Sequence, residues 1–426
     1  MTQSLTHTPT NAAPAPGLLD RTLSRLVTSA IDRMDTGRIT LRESTGVRTL
    51  GREDPADPLH ANVRVHDARF FRALALGGSL GAGESYIDGH WDCDDLVAFI
   101  RIFARDMDLT DSLDYGLARI VEPLRRIRHA LRRNTRSGSR RNIGEHYDLG
   151  NDFFELFLDP TLAYSCAVFE TADASLEAAS CAKFDRLCRK LDLRPSDHLL
   201  EIGTGWGGFA LHAAARYGCR VTTTTISQRQ HELATRRVRE AGLADRVTVL
   251  LRDYRDLDGQ YDKLVSIEMI EAVGHEYLPA FFGKCAALLT PGGAAAIQAI
   301  TVPDHRYESY RRGVDFIRRH VFPGSCVPSL AALLVAAAKS SDLRLVHAEE
   351  IGRHYATTLR LWRERFLARA DAVRSLGFTP RFIRMWEYYL ASCEGAYHER
   401  YLGNAQLILH RPRCRALPPG WSPDPA

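Results

Sequence analysis

Residues 199–208 read LLEIGTGWGG, an apolar strand pattern that runs straight into glycines, and no other stretch narrows the fold as far. Gly203, Gly205 and Gly208 fit the spacing G-x-G-x-x-G, the turn through which a parallel strand passes into a helix with its backbone bare enough for a ligand to lie against it. A turn of that kind belongs to α/β sheets. The spacing alone leaves the ligand open.

The residues that follow carry the matching alternation. HLLEIG (198–203), RVTTTTI (220–226), VTVLL (247–251), KLVSIEM (263–269) and AAAIQAI (294–300) are short and apolar enough for buried strands, and segments between them, such as 228–241, have helical periodicity. Strand and helix in turn imply a parallel sheet covered on both faces. NAQLILHR (404–411) alternates and reads as a late strand closing that sheet.

With 426 residues the chain exceeds one ordinary domain. From Leu18 to Met34 apolar residues recur at helical spacing, and GRITLRES (37–44) and NVRVHD (62–67) alternate like strands. GGSLGAGESYIDGHWDCDD (77–95) carries glycines that mark tight turns, and helical pattern runs from Leu96 to about Leu131. These segments make a smaller α+β unit. Behind it Arg125, Arg126, Arg128, Arg132, Arg133, Arg136, Arg140 and Arg141 crowd into one stretch, although the whole chain carries a net charge of only +4. A solvated helix face and attraction to anionic phospholipid, worth about 1 kcal/mol per basic residue near such a surface, both account for it. A nucleic-acid footprint would favour interleaved stacking aromatics, and these are missing.

Nine cysteines are scattered singly, without C-x-x-C pairs or metal-ligand spacing, which suits a reducing cytoplasm. The N-terminal MTQSLTHTPTNAAPAPG reads as a disordered tail and not as a signal peptide. No apolar run approaches the roughly 20 residues that a membrane-spanning helix requires.

In a doubly wound sheet the ligand lies outside the carboxyl ends of the strands. After the second strand stand Thr225, Ile226, Ser227 and Gln230, a neutral set where a dinucleotide enzyme commonly has an acid for the ribose. After the third, Asp253 and Tyr254 offer a hydrogen bond and a ring face to an adenine, and Glu201 precedes the first loop glycine. These positions suit an adenosyl group with a charged amino acid tail.

Nine blocks, in order, now tie the chain to a family: GSLGAGESYIDGHW, HYDLGNDFFELFLDP, YSCAVFE, LEIGTGWGG, TISQRQ, RDYRD, SIEMIEAVG, HVFPGSCVPSL and HYATTLRLW. From about residue 37 to 412 the sequence resembles the cyclopropane fatty acid synthases, which include the mycolic acid cyclopropane synthases and related fatty acid methyltransferases. The resemblance implies S-adenosylmethionine as cofactor, with contacts at Tyr164, Ser165, Gly203, Gly205, Thr225, Ile226, Gln230 and Asp253. It also implies a bound bicarbonate, held at the positions of Cys166, Glu271, Gln298, Ile300 and Tyr355. Gln298 departs from the family's histidine; an amide orients an anion but takes up no proton near neutral pH. Ala272 likewise replaces a histidine often found after the glutamate. Glu268, in the same block as Glu271, is a candidate for orienting it or contacting the cofactor.

The chemistry so implied is demanding. An alkene attacking a sulfonium methyl leaves a carbocation, so the site must exclude water, align the reactants and tolerate positive charge. Aromatic faces supply that tolerance, and Tyr307, Tyr310, Phe316 and Phe322 lie in the helical insert after Ile300, where a lid over the acyl chain is expected. Cys166 suits an anion-pocket donor better than a nucleophile.

The expected architecture is therefore α/β: a class I methyltransferase Rossmann-like doubly wound sheet preceded by a smaller α+β domain. The division is a disordered tail 1–17, an N-terminal lipid-binding or accessory domain 18–124, a basic linker 125–141, a catalytic domain 142–413 and a C-terminal tail 414–426. The expected reaction adds a methylene to the cis double bond of unsaturated phospholipid acyl chains, giving cyclopropane fatty acids. The alternative is a C-methyltransferase that stops at a methyl-branched or methylene-bearing chain. The partner is an unsaturated phospholipid met peripherally at the inner face of the membrane, with a homodimer as an option and no nucleic acid.

Overall fold

The computed structural model describes residues 17–106 and 149–416, which fall into two compact units. The arginine stretch 125–141 lies outside the described residues.

The smaller unit takes in 313–321 and 370–401 besides the N-terminal segment. Helix Leu18–Asp32 buries Leu23, Val27 and Ile31, four residues apart, as an amphipathic helix on a core must. Strands β1 (Arg38–Glu43), β2 (Gly46–Leu50), β3 (His60–Val65) and β4 (Trp91–Cys93) form a sheet in the order β2-β1-β3-β4. The glycines of 77–83 are not turn glycines, contrary to the sequence expectation. Helix Arg69–Ile87 runs through them and departs from helical geometry at Gly78, where φ is +58°. A Cβ on Gly83 would stand 2.5 Å from the Phe316 ring, so close packing explains the missing side chain. Helix Pro380–His398 belongs to the same unit; its Arg384 lies over the Tyr86 ring at 4.0 Å and pairs with Asp92 at 2.7 Å.

The larger unit is built on β5 (His198–Ile202), β6 (Arg220–Thr225), β7 (Val247–Leu251), β8 (Tyr261–Ile267), β9 (Leu289–Thr301), β10 (Arg344–Glu350) and β11 (Gly403–His410), ordered β10-β11-β9-β8-β5-β6-β7. The five from β7 to β9 are parallel. β11 runs antiparallel between β9 and β10. The last strand thus lies inside the sheet instead of closing its edge. The edge is β10, RLVHAEE, whose half-exposed polar residues lack the apolar content of a buried strand and so gave no pattern to read.

Alternation along each strand feeds two cores. Leu200, Leu264 and Ala295 face helices Leu278–Leu288 and Leu330–Ser340; Leu199, Val221, Val265 and Ala296 face helices Leu176–Lys190 and Gly208–Tyr217. Burying both faces is what makes these strands apolar throughout. Strand order reverses between β5 and β8, and the carboxyl ends of those two strands flank the crevice where such sheets bind ligands.

Candidate active site

β5 ends at Ile202, and the chain turns through Gly203 (φ +104°), Gly205 (φ +52°) and Gly207 (φ +87°) into helix Gly208–Tyr217. Residues with a Cβ rarely adopt such angles. The motif glycines then differ in purpose. A Cβ on Gly208 would stand 2.5 Å from the Thr161 carbonyl oxygen, so this glycine permits close packing. One on Gly205 would meet no protein atom within 4 Å. The backbone at Gly205 is therefore bare toward open space, which is the surface that a cofactor cradle needs. One on Gly203 would stand 3.1 Å from the Met269 side chain, so the loop lies against the residue beside Glu268.

At the carboxyl end of β6, Thr225 donates to Gln230 Oε1 at 2.8 Å, and Ser227 caps helix Gln228–Glu240. Ile226 is half-buried between them. After β7, buried Asp253 receives Arg255 through both oxygens, at 2.9 and 2.7 Å, while Tyr254 meets Phe281 edge-on. Sequence-predicted Thr225, Ile226, Gln230 and Asp253 thus stand at strand ends bordering the same crevice, with Asp253 already in an ion pair.

Beneath the loop lies a charged layer that the sequence did not announce. Lys183, fully buried in helix Leu176–Lys190, donates to Ser165 Oγ at 2.6 Å, and burial lowers its pKa against the pull of Glu268, Glu201 and Asp159. Glu201, also buried, has Thr223 Oγ1 2.6 Å from its Oε2, and Thr204 Oγ1 lies 2.7 Å beyond. Burial pushes the Glu201 carboxyl up to about 8 from an ordinary 4.5. Between those values the folded chain keeps a proton that the unfolded chain has released, so stability falls as pH rises through that window. Between pH 5 and 8 the wild type is expected to lose melting temperature relative to Glu201→Gln; identical pH slopes in the two proteins would refute this assignment.

Glu268 forms the centre of the site. It follows β8 with φ +49°. Its Oε1 accepts from the Cys166 backbone N–H at 2.9 Å, Gln298 Nε2 at 2.8 Å and Asn404 Nδ2 at 2.6 Å, and its Oε2 accepts from the Tyr355 hydroxyl at 2.7 Å. Glu271 lies close by: Oε1 accepts from the Ile300 N–H at 2.5 Å, and Oε2 has no hydrogen-bond partner. Burial, with Glu268 adding repulsion, pushes its carboxyl up to about 8. Burial also raises the Cys166 thiol well above the usual range, and its Sγ faces the Ala167 carbonyl at 3.2 Å, so it is not a thiolate. Cys166, Gln298 and Tyr355 therefore meet on a sixth residue, Glu268, while Ile300 is bonded to Glu271 beside it.

One wall is aromatic. Tyr164 has Trp362 at 5.1 Å, Phe154 at 5.3 Å and Phe157 and Phe322 at 6.3 Å between ring centroids, and Tyr355 lies 6.0 Å from Trp362. Of the aromatics expected after Ile300, only Phe322 is seen against Tyr164. Tyr307 is hydrogen-bonded to His275 at 2.7 Å, Tyr310 lies on helix Asp304–Arg312, and Phe316 packs on Tyr388 in the smaller unit. Phe154, Phe157 and Trp362 replace them because the blocks NDFFELF and LRLW fold against YSC.

Residues 134–407 match the family model of mycolic acid cyclopropane synthetase. The chain is 42% identical over 365 residues, 84% of each chain, to the tuberculostearic acid methyltransferase of Mycobacterium tuberculosis. It is 38% identical over 356 residues to the cyclopropane-fatty-acyl-phospholipid synthase of Escherichia coli, covering 82% of this chain and 88% of that one. Among solved structures, a mycolic acid cyclopropane synthase complexed with SAH and CTAB superposes with a TM-score of 0.60 at 32% identity, over 64% of this chain and 98% of the other.

Proposed function

The chain belongs to the mycolic acid cyclopropane synthetase family of S-adenosylmethionine-dependent methyltransferases, and from that premise we propose that it closes cyclopropane rings on the cis double bonds of unsaturated phospholipid acyl chains. The observation that carries the reading is an aromatic wall and a hydrogen-bonded acceptor sharing one residue, Tyr355, beside the glycine loop.

S-adenosylmethionine, when bound, supplies an electrophilic methyl group. Gly205 would hold it through bare backbone, with Gly203 turning the loop and Ser165, Thr225 and Gln230 at its flanks. Tyr164, backed by buried Phe154 and Trp362, would exclude water and offer a ring to the positive charge that develops on the acyl chain, at about 0.5–2 kcal/mol per contact. Bicarbonate does not fit the arrangement of the residues implied for it. The Cys166 N–H, Gln298 and Tyr355 donate to Glu268, and the Ile300 N–H donates to Glu271.

A second reading has its own support in the 42% identity to a tuberculostearic acid methyltransferase: methyl transfer without ring closure. Expression in a bacterium lacking cyclopropane lipids, followed by mass spectrometry of its fatty acids, separates the two. Ring formation adds one CH2 and removes the double bond; a methylene-bearing chain has the same mass but keeps a double bond that ozone cleaves. Unaltered fatty acids would sink both readings. The phospholipid substrate of this reading places the enzyme at the membrane surface; no helix among the described residues is long and apolar enough to cross a membrane.

A further inference from the structure

We propose that Glu268 is the proton acceptor of this enzyme, a carboxylate built into the chain at the place where the donors of an anion pocket converge. The inference rests on the lipid-methylating reading and holds for either product.

Four donors end on Glu268: the Cys166 N–H, Gln298 Nε2, Asn404 Nδ2 and the Tyr355 hydroxyl. An ionised carboxylate is an acceptor and nothing else, so a ring of donors is its complement. The orientation of the Gln298 amide, which is otherwise ambiguous, follows from a chain of contacts. Lys190 Nζ, which only donates, reaches Gln406 Oε1 at 2.7 Å, and Gln406 Nε2 donates to Gln298 Oε1 at 2.9 Å. That leaves the Gln298 NH2 for Glu268. A half-buried ammonium thus fixes, through two amides, which end of Gln298 meets the carboxylate.

The backbone argues the same way. With φ at +49°, Glu268 holds a conformation that residues bearing a Cβ avoid and glycine adopts freely. Strain of this kind persists where surrounding structure enforces it, and it gathers at functional positions. Here the side chain is clamped by four elements: the YSC segment, β9, β11 and helix Gly352–Ala368.

One alkene carbon bonds to the methyl group as the sulfonium S–C bond breaks, leaving a thioether and a cation on the neighbouring carbon. Oε1 already accepts three donors, so Oε2, with Tyr355 alone, has the free lone pair and takes a proton from the new methyl group. The released C–H pair closes the third bond of the ring. In the second reading a hydride shifts first and the same pair forms a C=C bond. In both, the proton on Oε2 passes to solvent after the product leaves.

The test uses the full chain with S-adenosylmethionine and unsaturated phospholipid vesicles in buffer stripped of carbon dioxide, with and without added sodium bicarbonate. Wild-type turnover is expected to be the same in both. Glu268→Gln should lower turnover by at least about 100-fold, the low end for losing a general base, with the KM for S-adenosylmethionine unchanged. Glu268→Gly suits the backbone and should fold; it should be inactive in stripped buffer and regain turnover with bicarbonate, which fits the space opened. Product from the wild type only when bicarbonate is present would overturn the inference alone. So would full activity of Glu268→Gln, or a folded Glu268→Gly chain that bicarbonate leaves inactive. No altered lipid in either buffer would remove the lipid-methylating reading and this inference with it.

Discussion

Gly205→Val is expected to abolish S-adenosylmethionine binding, raising the dissociation constant at least about 100-fold, or close to 3 kcal/mol. The apo fold should survive. Nothing in the protein lies within 4 Å of a Cβ at this position, so the substitution collides with the ligand and not with the core. Its cost to the fold is the left-handed φ of +52°, on the order of 1–2 kcal/mol. Gly208→Val should show the opposite balance, because its Cβ meets the Thr161 carbonyl at 2.5 Å. Calorimetric titration and thermal melting of both variants decide the matter. Equal affinity for Gly205→Val and wild type would mean that the cofactor does not lie on this loop.

Lys183→Met should lower stability by about 3–5 kcal/mol, the range for removing one member of a buried charged set. Its ammonium is fully buried, bonded to Ser165, and attracted by Glu268 and Asp159. Methionine fills a similar volume, so the loss would come from charge and not from a cavity. Denaturant unfolding without cofactor measures it. A variant as stable as the wild type would mean that those carboxyls have taken up protons in place of the lysine. In that case stability should depend on pH differently in the two proteins, which the same titration shows.

Much of this was legible before any coordinates. The positive-φ glycines after β5 and the strands 198–202, 220–225 and 247–251 follow from local pattern, since apolar runs and bare turns advertise themselves. Of the five residues expected around an anion, Cys166, Gln298 and Tyr355 meet on Glu268, and Ile300 donates to Glu271. What lies at their centre was not readable, because hydrogen-bond direction is a property of the fold: Asn404 and Gln406 sit 136 and 108 residues from Glu268 and Gln298 respectively. Lys183 was hidden for a related reason. A lysine on a helix is ordinarily exposed, and only its place on the same face as Ala179 and Leu187 marks it as inward. The glycines of 77–83 misled because a bare residue serves a turn and a tight helix contact equally well. Nor does any local pattern place 313–321 and 370–401 with the N-terminal segment in one unit.

The position of β11 sets an order of assembly during synthesis. β9 and β10 leave the ribosome before it, yet each needs it as a partner, and until residues 403–410 emerge both carry unpaired edges open to association with other chains. The glycine loop and Glu268 are by then already made. The Asn404 amide that grips Glu268 and the Gln406 that orients Gln298 arrive only with this strand. A nascent chain can therefore form its cofactor loop early while its acceptor is still loose, and competence for chemistry coincides with completion of the sheet.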